Sequence, residues 1–388
     1  MHRLKRGLIM TAAAACILFT GCGSLNTEKD GLSRTGLYFD TPVTIRIYDD
    51  NAGELMDGCF ELCDELERVL SAQDTSSELY KVNHRSSDET GVSEALADCI
   101  AMGLEAGDMS GGEFDITILP VSSLWDFRSG EGSVPGKDDI EKALRHVDRS
   151  GVYVSGNKVS FTDPEAELDL GAVAKGYISG RIREYLRSNG CDGAVINLGG
   201  NVSTVGERPD GSPFKIGIQK PFHDRGEVAA VVSLREGCVI SSGTYERCFE
   251  ENGVLYHHIL SAKTGYPADT GLVQVTVIGD DDMLCDTLST VGILLGKDRT
   301  EALVREKGYD VKLVFTDENG IMTLYSPDGT ESGLSEGEIL DLADREPSGE
   351  EGLDPADRER SGKEALDPAD REPSREETPD SADREQRK

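Results

Sequence analysis

Four short polar clusters interrupt the apolar patterning of this chain, and each carries groups able to do chemistry. They are Gly112 to Asp115 (GEFD), Leu168 to Gly176 (LDLGAVAKG), His257 to Pro267 (HHILSAKTGYP) and Cys285 to Thr290 (CDTLST). In the last, Asp286 and Thr290 stand four apart on a predicted helix, so a carboxylate and a hydroxyl share one face. Joined by a backbone carbonyl from elsewhere, they make a hard-oxygen set suited to Mg²⁺ or Ca²⁺. The plainer reading of the same pair is local, with Asp286 capping the helix start and Thr290 bonding back to the backbone. In LDLGAVAKGY, Asp169 sits at the end of a strand-like alternation and Gly171 turns the chain. A helix from Ala172 then brings Lys175 into its first turn, and the unpaired amides of a helix start suit an anionic ligand. His257 and His258 supply an acid, a base or a metal ligand, or only a buried structural imidazole. P-loop, GxGxxG and HExxH patterns are absent from the sequence.

The elements that must position these groups follow from periodicity. Gly36 to Tyr48 alternates as a strand, interrupted at Phe39-Asp40-Thr41, and Leu55 to Leu70 carries apolar residues at helical spacing. Ser77-Glu78 reads as a helix start, and Val92 to Leu104 as a second amphipathic helix that ends in glycines. Residues 130–150 read as an acidic insertion with a short helix, and 152–161 as a hairpin turning on Ser155-Gly156-Asn157. Helix Ala172–Ser188 leads into a strand at 193–203, where Gly199-Gly200 permits close backbone approach. Strands at 215–219, 229–234, 239–241 and 273–279 follow, then helix 282–295 and strands 311–316 and 321–325. Strands and helices do not alternate strictly, which indicates an α+β fold with mixed or antiparallel sheets covered by helices on one face.

Both ends differ from this globular part, expected at 36–335. Residues 1–21 carry Arg3, Lys5 and Arg6 ahead of a short apolar run, the pattern of an export signal too short to span a bilayer comfortably. Cys22, after Phe19-Thr20-Gly21, resembles a bacterial lipoprotein cleavage site, although Phe19 stands where leucine is usual. The expectation is a lipidated Cys22 that holds the protein on the extracytoplasmic face of the cell membrane, with an ordinary signal peptide or an uncleaved anchor as alternatives. A polar stalk is expected at 22–35. From 336 to 388 an acidic 13-residue repeat built on Asp-x-Ala-Asp-Arg-Glu has almost no large apolar residues, so it is expected to remain a disordered spacer. The 388 residues carry 73 Asp and Glu against 40 Lys and Arg, a formal net charge of −33 that argues against nucleic acid as a partner. Beyond Cys16 and Cys22, seven cysteines remain with no CxxC spacing, so neither a disulfide framework nor a zinc site is indicated.

Taken together, eight pieces in order resemble the FAD:protein FMN transferases, the ApbE-type flavin transferase family, many of whose members are lipoproteins. The pieces are FDT (39–41), SxxxxSSELxxxN (71–83), GEFDIT (112–117), LDLGAVAKGY (168–177), INLGGN (196–201), SSGTYER (241–247), HHIL…TGYP (257–267) and DTLST (286–290). The resemblance implies two intertwined lobes with an FAD cleft. It also implies a Mg²⁺-dependent transfer of FMN from FAD to a threonine hydroxyl of flavin-carrying redox subunits at the membrane, with release of AMP. An FAD pyrophosphatase and a non-catalytic FAD-binding surface lipoprotein are the alternatives. Carried over by position, the metal set is the Ala172 carbonyl with Asp286 and Thr290. FAD contacts are Phe39, Glu113, Phe114, Asp115, Asp169, Lys175 and Leu260, with the Ser242–Gly243 turn nearby. Lys175 adds positive charge beside the phosphates, or pairs with a neighbouring acid. His258 is the candidate for polarising or deprotonating the acceptor hydroxyl, with Asp286 the second catalytic group. Three positions depart from the family pattern: Ser261-Ala262 where Asp-Pro is common, Thr244 where an aspartate is frequent, and Gln73 where an aromatic is often found.

Overall fold

The computed structural model describes residues 31–342, apart from 128, 130 and 131. The export signal, Cys22 and all but the first residues of the repeat tail therefore lie outside the described residues. In chain order the strands are β1 (Leu32–Tyr38), β2 (Thr41–Ile47), β3 (Glu89–Gly91), β4 (Val152–Val154), β5 (Lys158–Phe161), β6 (Gly193–Leu198), β7 (Asn201–Gly206), β8 (Phe214–Gln219) and β9 (Val228–Leu234). They continue with β10 (Gly237–Gly243), β11 (Cys248–Glu251), β12 (Val254–His257), β13 (Leu272–Gly279), β14 (Lys312–Asp317), β15 (Met322–Tyr325), β16 (Glu331–Leu334) and β17 (Ile339–Asp341). The principal helices span Ala52–Leu70, Glu94–Met109, Ala174–Ser188, Asp282–Leu295 and Lys297–Lys307.

A nine-stranded sheet in the order β1-β2-β6-β7-β10-β13-β14-β15-β16 runs through the molecule, antiparallel at every pairing. Alternation along its strands divides two cores. Ile45, Ile196, Ile240, Val275 and Val277 point to the face covered by the long helices. Val239, Ile278, Val314 and Met322 point to the other face, where they meet Ile216, Ile218 and Val232 of a three-stranded sheet ordered β17-β9-β8. The α+β architecture with helices on one face of the large sheet is the one the periodicity implies.

Differences from the sequence reading lie at element boundaries. β1 begins at Leu32, inside the stretch expected to be stalk, because its order comes from pairing along the length of β2 and not from an apolar pattern of its own. The interruption at Phe39-Asp40 is the two-residue turn of this hairpin. Both residues are left-handed (φ 53° and 57°), which matches the twist of the flanking strands. The second amphipathic helix runs past Leu104 to Met109, since Gly103 and Gly107 let Ile116 and Arg149 pack closely against it. The Ala172 start moves to Ala174, with Leu170 to Val173 making the turn. Leu168-Asp169-Leu170 is extended without joining a sheet. β17 falls on the first repeat, which is drawn into parallel pairing with β9 by Leu340 and Leu342 packing on the second core.

Candidate active site

A cavity of about 870 Å³ opens where the turns of the large sheet meet the segments 114–127, 169–175 and 242–260. Sequence-distant groups build it. The Phe39 turn is fixed by Glu67, whose Oε1 accepts from the Phe39 amide at 2.9 Å. The extended segment before Asp169 is held by Asn83. Its amide donates to the Leu168 carbonyl (2.9 Å) and its oxygen accepts from the Leu168 N–H (2.7 Å). Asn83 closes one of the family-like motifs, and it fixes this backbone alongside the Glu167–Ile118 bridge and the Asp169 N–H bond to the Ile116 carbonyl (2.7 Å). Asp169 then accepts from the Gly171 amide (2.9 Å) and the Ser122 hydroxyl (3.2 Å), which tightens the turn into the helix.

Phe39, Phe114, Asp115, Asp169, Lys175, Ser242, Gly243, Leu260, Ala172, Thr290 and His258 all line the cavity. Glu113 does not, among the lining residues described. Its carboxylate instead accepts from Ser261 Oγ (2.7 Å) and Lys263 Nζ (3.1 Å), and its carbonyl accepts from the Ala262 amide (2.9 Å). Partial burial pushes the Glu113 carboxyl up, but the bonds from Ser261 and Lys263 outweigh it and hold the group below the usual range. Glu113 is thus a latch on the loop after Leu260, and Ser261, a departure from the family pattern, is the residue that it grips. Both Asp115 oxygens are also engaged, Oδ1 by Thr117 and Oδ2 by the Arg149 amide (2.9 Å). Its part at the cavity wall is to shape the Phe114 turn. Glu113→Ala is expected to loosen the 261–263 loop and raise the KM for a cavity ligand by about three- to tenfold with kcat little changed, the loss of about 1 kcal/mol of positioning. Steady-state kinetics on the variant check it.

Asp286 lies one layer beneath the wall, its side chain 1 % exposed. Oδ2 accepts from the Gly176 amide (2.8 Å), and Oδ1 from Asn201 Nδ2 (2.7 Å) and Lys175 Nζ (3.1 Å). Helix-start capping belongs to Asp281, whose side chain accepts from the Leu284 amide, so the local reading of Asp286 is replaced by tertiary contacts. The back-bond to the helix is made by Thr287 to the Met283 carbonyl (2.8 Å). Thr290 instead turns toward Ser242, with its hydroxyl 3.1 Å from Ser242 Oγ.

The same geometry tests the residues for a divalent ion. The Lys175 ammonium, 32 % exposed, already sits as a cation against the Asp286 carboxylate and 3.4 Å from the Gly171 carbonyl. Ala172 and Thr290 line the same cavity. Among the described residues no group of three or more His, Cys, Asp or Glu forms a cluster, so an ion here has at most two such ligands and completes its shell with neutral oxygens and water. That set fits Mg²⁺, which binds few protein ligands and keeps several waters. Lys175 is the paired lysine of the two readings and must yield Asp286 when an ion binds.

The two histidines separate cleanly. His257 Nε2 meets the Ala268 carbonyl (3.0 Å) and Nδ1 accepts from the Ile259 amide (3.3 Å), so its ring holds the loop. His258 faces the cavity, and its Nδ1 is buried without a hydrogen-bond partner among the described residues. Burial, then the charges of Arg247, His257 and Lys175, push this imidazole down to about 3. All seven cysteines among the described residues are free, and burial raises six of them by its own largest effect, so none presents a ready thiolate.

With this geometry in view, comparison with known proteins is decisive. The ApbE family model matches residues 39–315, most of the chain and all of the cavity-forming segments. The chain belongs to the ApbE family. Among its curated ApbE-like relatives, an FAD:protein FMN transferase of Klebsiella pneumoniae (strain 342) is 33% identical, covering 76% of this chain and 92% of that protein. An FAD:protein FMN transferase of Treponema pallidum (strain Nichols) is 32% identical, covering 78% and 90%. Among solved structures, the ApbE protein of Thermotoga maritima superposes with a TM-score of 0.68 at 28% identity, over 75% of this chain and 96% of that one. The flavin transferase ApbE of Vibrio cholerae gives 0.67 at 25% identity, over 76% and 97%. The ApbE fold is therefore shared over most of the described residues.

Proposed function

We propose that this protein transfers FMN from FAD to a threonine hydroxyl of an acceptor polypeptide, with Mg²⁺ bound and AMP released, at the extracytoplasmic membrane surface through a lipid on Cys22. The observation that carries this reading is the convergence of three features on one cavity. They are a carboxylate buried behind a displaceable ammonium, an unpartnered imidazole nitrogen, and a wall of apolar rings and chain turns.

Phe39, Phe114 and Leu260 give flat apolar surface to the ring systems of FAD. The pyrophosphate then lies near Ser242, Thr290 and Lys175, where Mg²⁺, when bound by Ala172, Asp286 and Thr290, offsets negative charge on its oxygens. The threonine oxygen forms a bond to the FMN phosphorus as the bond from that phosphorus to the AMP oxygen breaks, and AMP departs with the electron pair. Phosphoryl transfer of this kind depends mainly on positioning and electrostatics, since bond breaking leads. His258, neutral, accepts a hydrogen bond from the threonine hydroxyl through a ring nitrogen and orients it for attack, the proton leaving with the departing AMP phosphate or to water, and Lys175, released from Asp286, faces the phosphate charge. The test is direct: purified protein, FAD and Mg²⁺ should add the mass of FMN to a threonine-bearing acceptor. Free FMN and AMP accumulating instead, or tight FAD binding with no product, would overturn the transferase reading.

Because His258 stays neutral down to about pH 3, the kcat/KM profile of the free enzyme should show no inflection from this residue between pH 5 and 8. Stability carries the complementary sign. The unfolded imidazole takes up a proton below its ordinary value of 6.5 whereas the folded one resists until about 3, so the folded state loses ground as pH falls through that window. Replacing His258 with Gln should flatten that part of the acid limb in denaturant titrations.

A further inference from the structure

The cavity has a second wall that none of the expected FAD contacts explains beyond Ser242 and Gly243. It is formed by the face of the large sheet that looks toward the three-stranded sheet. Deep in the molecule this face is apolar, with Val239, Ile278 and Val314 packed in the second core. Toward the cavity the same rows turn polar. Ser241 and Thr276, paired across β10 and β13, share a 2.7 Å hydroxyl contact. One step further the register sets Gly243, Gln274 and Thr316 side by side.

Gln274 is fully buried and lines the cavity. Its Nε2 donates to the Tyr245 hydroxyl at 2.8 Å, and its Oε1 has no hydrogen-bond partner among the described residues. Turning the amide over exchanges the end that meets Tyr245 and still leaves one end open. The neighbouring Thr316 hydroxyl is equally buried and unpartnered among these residues. A buried polar group left unpaired costs about 1–3 kcal/mol, so a sheet that keeps one at a cavity wall is complementary to a ligand that supplies the partner.

The side of this arm is strand β8, which among the described residues pairs with β9 alone, leaving its other edge without a strand partner. Gly217 and Gln219 of that strand, and Val228 just beyond the connecting loop, line the cavity. The arm thus offers a buried amide, the Ser241 hydroxyl, an edge strand and the charged side chains of Arg225, Glu227, Glu246 and Arg247, in place of the apolar rings on the rest of the wall. Such a surface matches the main-chain donors and acceptors of an extended polypeptide. It runs to Gly243, the residue next to Ser242, and so ends beside the groups assigned to the phosphate and to His258.

We propose that this second arm receives the acceptor polypeptide in extended form, and that Gln274 hydrogen-bonds its main chain and thereby sets how far the threonine reaches. The proposal rests on the transferase reading given above. It makes Gln274 a specificity residue for the acceptor and not for FAD.

Gln274→Leu and Val228→Trp separate the two walls. Val228 is 39% exposed, so a larger side chain there narrows the arm without disturbing a core. The probe is a threonine-bearing Ser/Gly/Ala-rich peptide, with FAD affinity measured separately by flavin fluorescence and folding by thermal melts. Each variant is expected to raise the peptide KM by about fivefold or more, with FAD affinity within about twofold of wild type. If FAD affinity falls in step with the peptide KM, the arm holds part of FAD and the proposal is overturned. An unchanged peptide KM in Val228→Trp overturns it too, even if Gln274→Leu fails to fold. A wild-type protein that never modifies any acceptor sinks the transferase reading itself, an outcome distinct from active protein with indifferent variants.

Discussion

Asp286→Asn is expected to remove FMN transfer almost completely, by on the order of 10²–10⁴-fold in kcat/KM, while the protein stays folded. The magnitude is what several kcal/mol of lost charge stabilisation at a phosphoryl centre amounts to. The substitution keeps the shape of the side chain but presents an amide NH₂ to three donors, the Gly176 N–H, Asn201 Nδ2 and Lys175 Nζ. One of those contacts must be lost, at a cost of about 1–3 kcal/mol in stability. Lys175, relieved of its partner, can swing into the cavity, so FAD binding should persist. Calorimetric titration with Mg²⁺ should show weakened ion binding in parallel with the loss of turnover. A variant that melts like wild type, binds FAD and retains turnover within threefold would remove Asp286 from the proposed metal set.

How these groups come together was only partly visible in the sequence. The bounds of the helix Asp282–Leu295 are legible from its continuous apolar face, whereas the cap at its start is Asp281 and not Asp286. The Phe39-Asp40 break reads correctly as an interruption, but only pairing with β2 shows it to be a tight left-handed turn that sets the Phe39 ring at the cavity. Local patterning cannot show functions that depend on partners distant in sequence. Glu113, an FAD contact by resemblance, has its carboxylate engaged by Ser261 and Lys263, partners that no local pattern names. Asn83, the last residue of the SxxxxSSELxxxN stretch, braces Leu168, 85 positions on. Gln274 has no local signal at all, since a glutamine within an apolar strand reads as an outward-facing residue until a second sheet is laid over it.

The second large effect is expected on stability, at the ion pair between Arg183 and Asp282. Both side chains are at most 3% exposed, and Arg183 Nη1 donates to Asp282 Oδ2 at 2.5 Å while Nη2 donates to the Asp280 carbonyl at 2.7 Å. Ser179 and Ser203 donate to the other Asp282 oxygen, so the carboxylate is fully satisfied and ties the helix Ala174–Ser188 to both the helix Asp282–Leu295 and β7. Burial lowers the guanidinium's proton affinity, but the Asp282 charge more than restores it, leaving Arg183 raised above its ordinary value. Arg183→Met is expected to destabilise the protein by about 3–5 kcal/mol, because it strands a buried carboxylate. The double variant Arg183→Met/Asp282→Leu removes both charges and should recover much of that loss in urea titrations. The pair sits directly beneath the functional layer. The Asp282 carbonyl lies so near Gly176 that a side chain there would meet it at 2.4 Å, and Gly176 is the residue whose amide holds Asp286. If the double variant regains stability but binds Mg²⁺ several-fold more weakly than wild type, the ion pair serves to keep the two helices in the register that aims Asp286. If it regains both, the pair is dispensable, and close packing around Gly176 alone fixes the carboxylate.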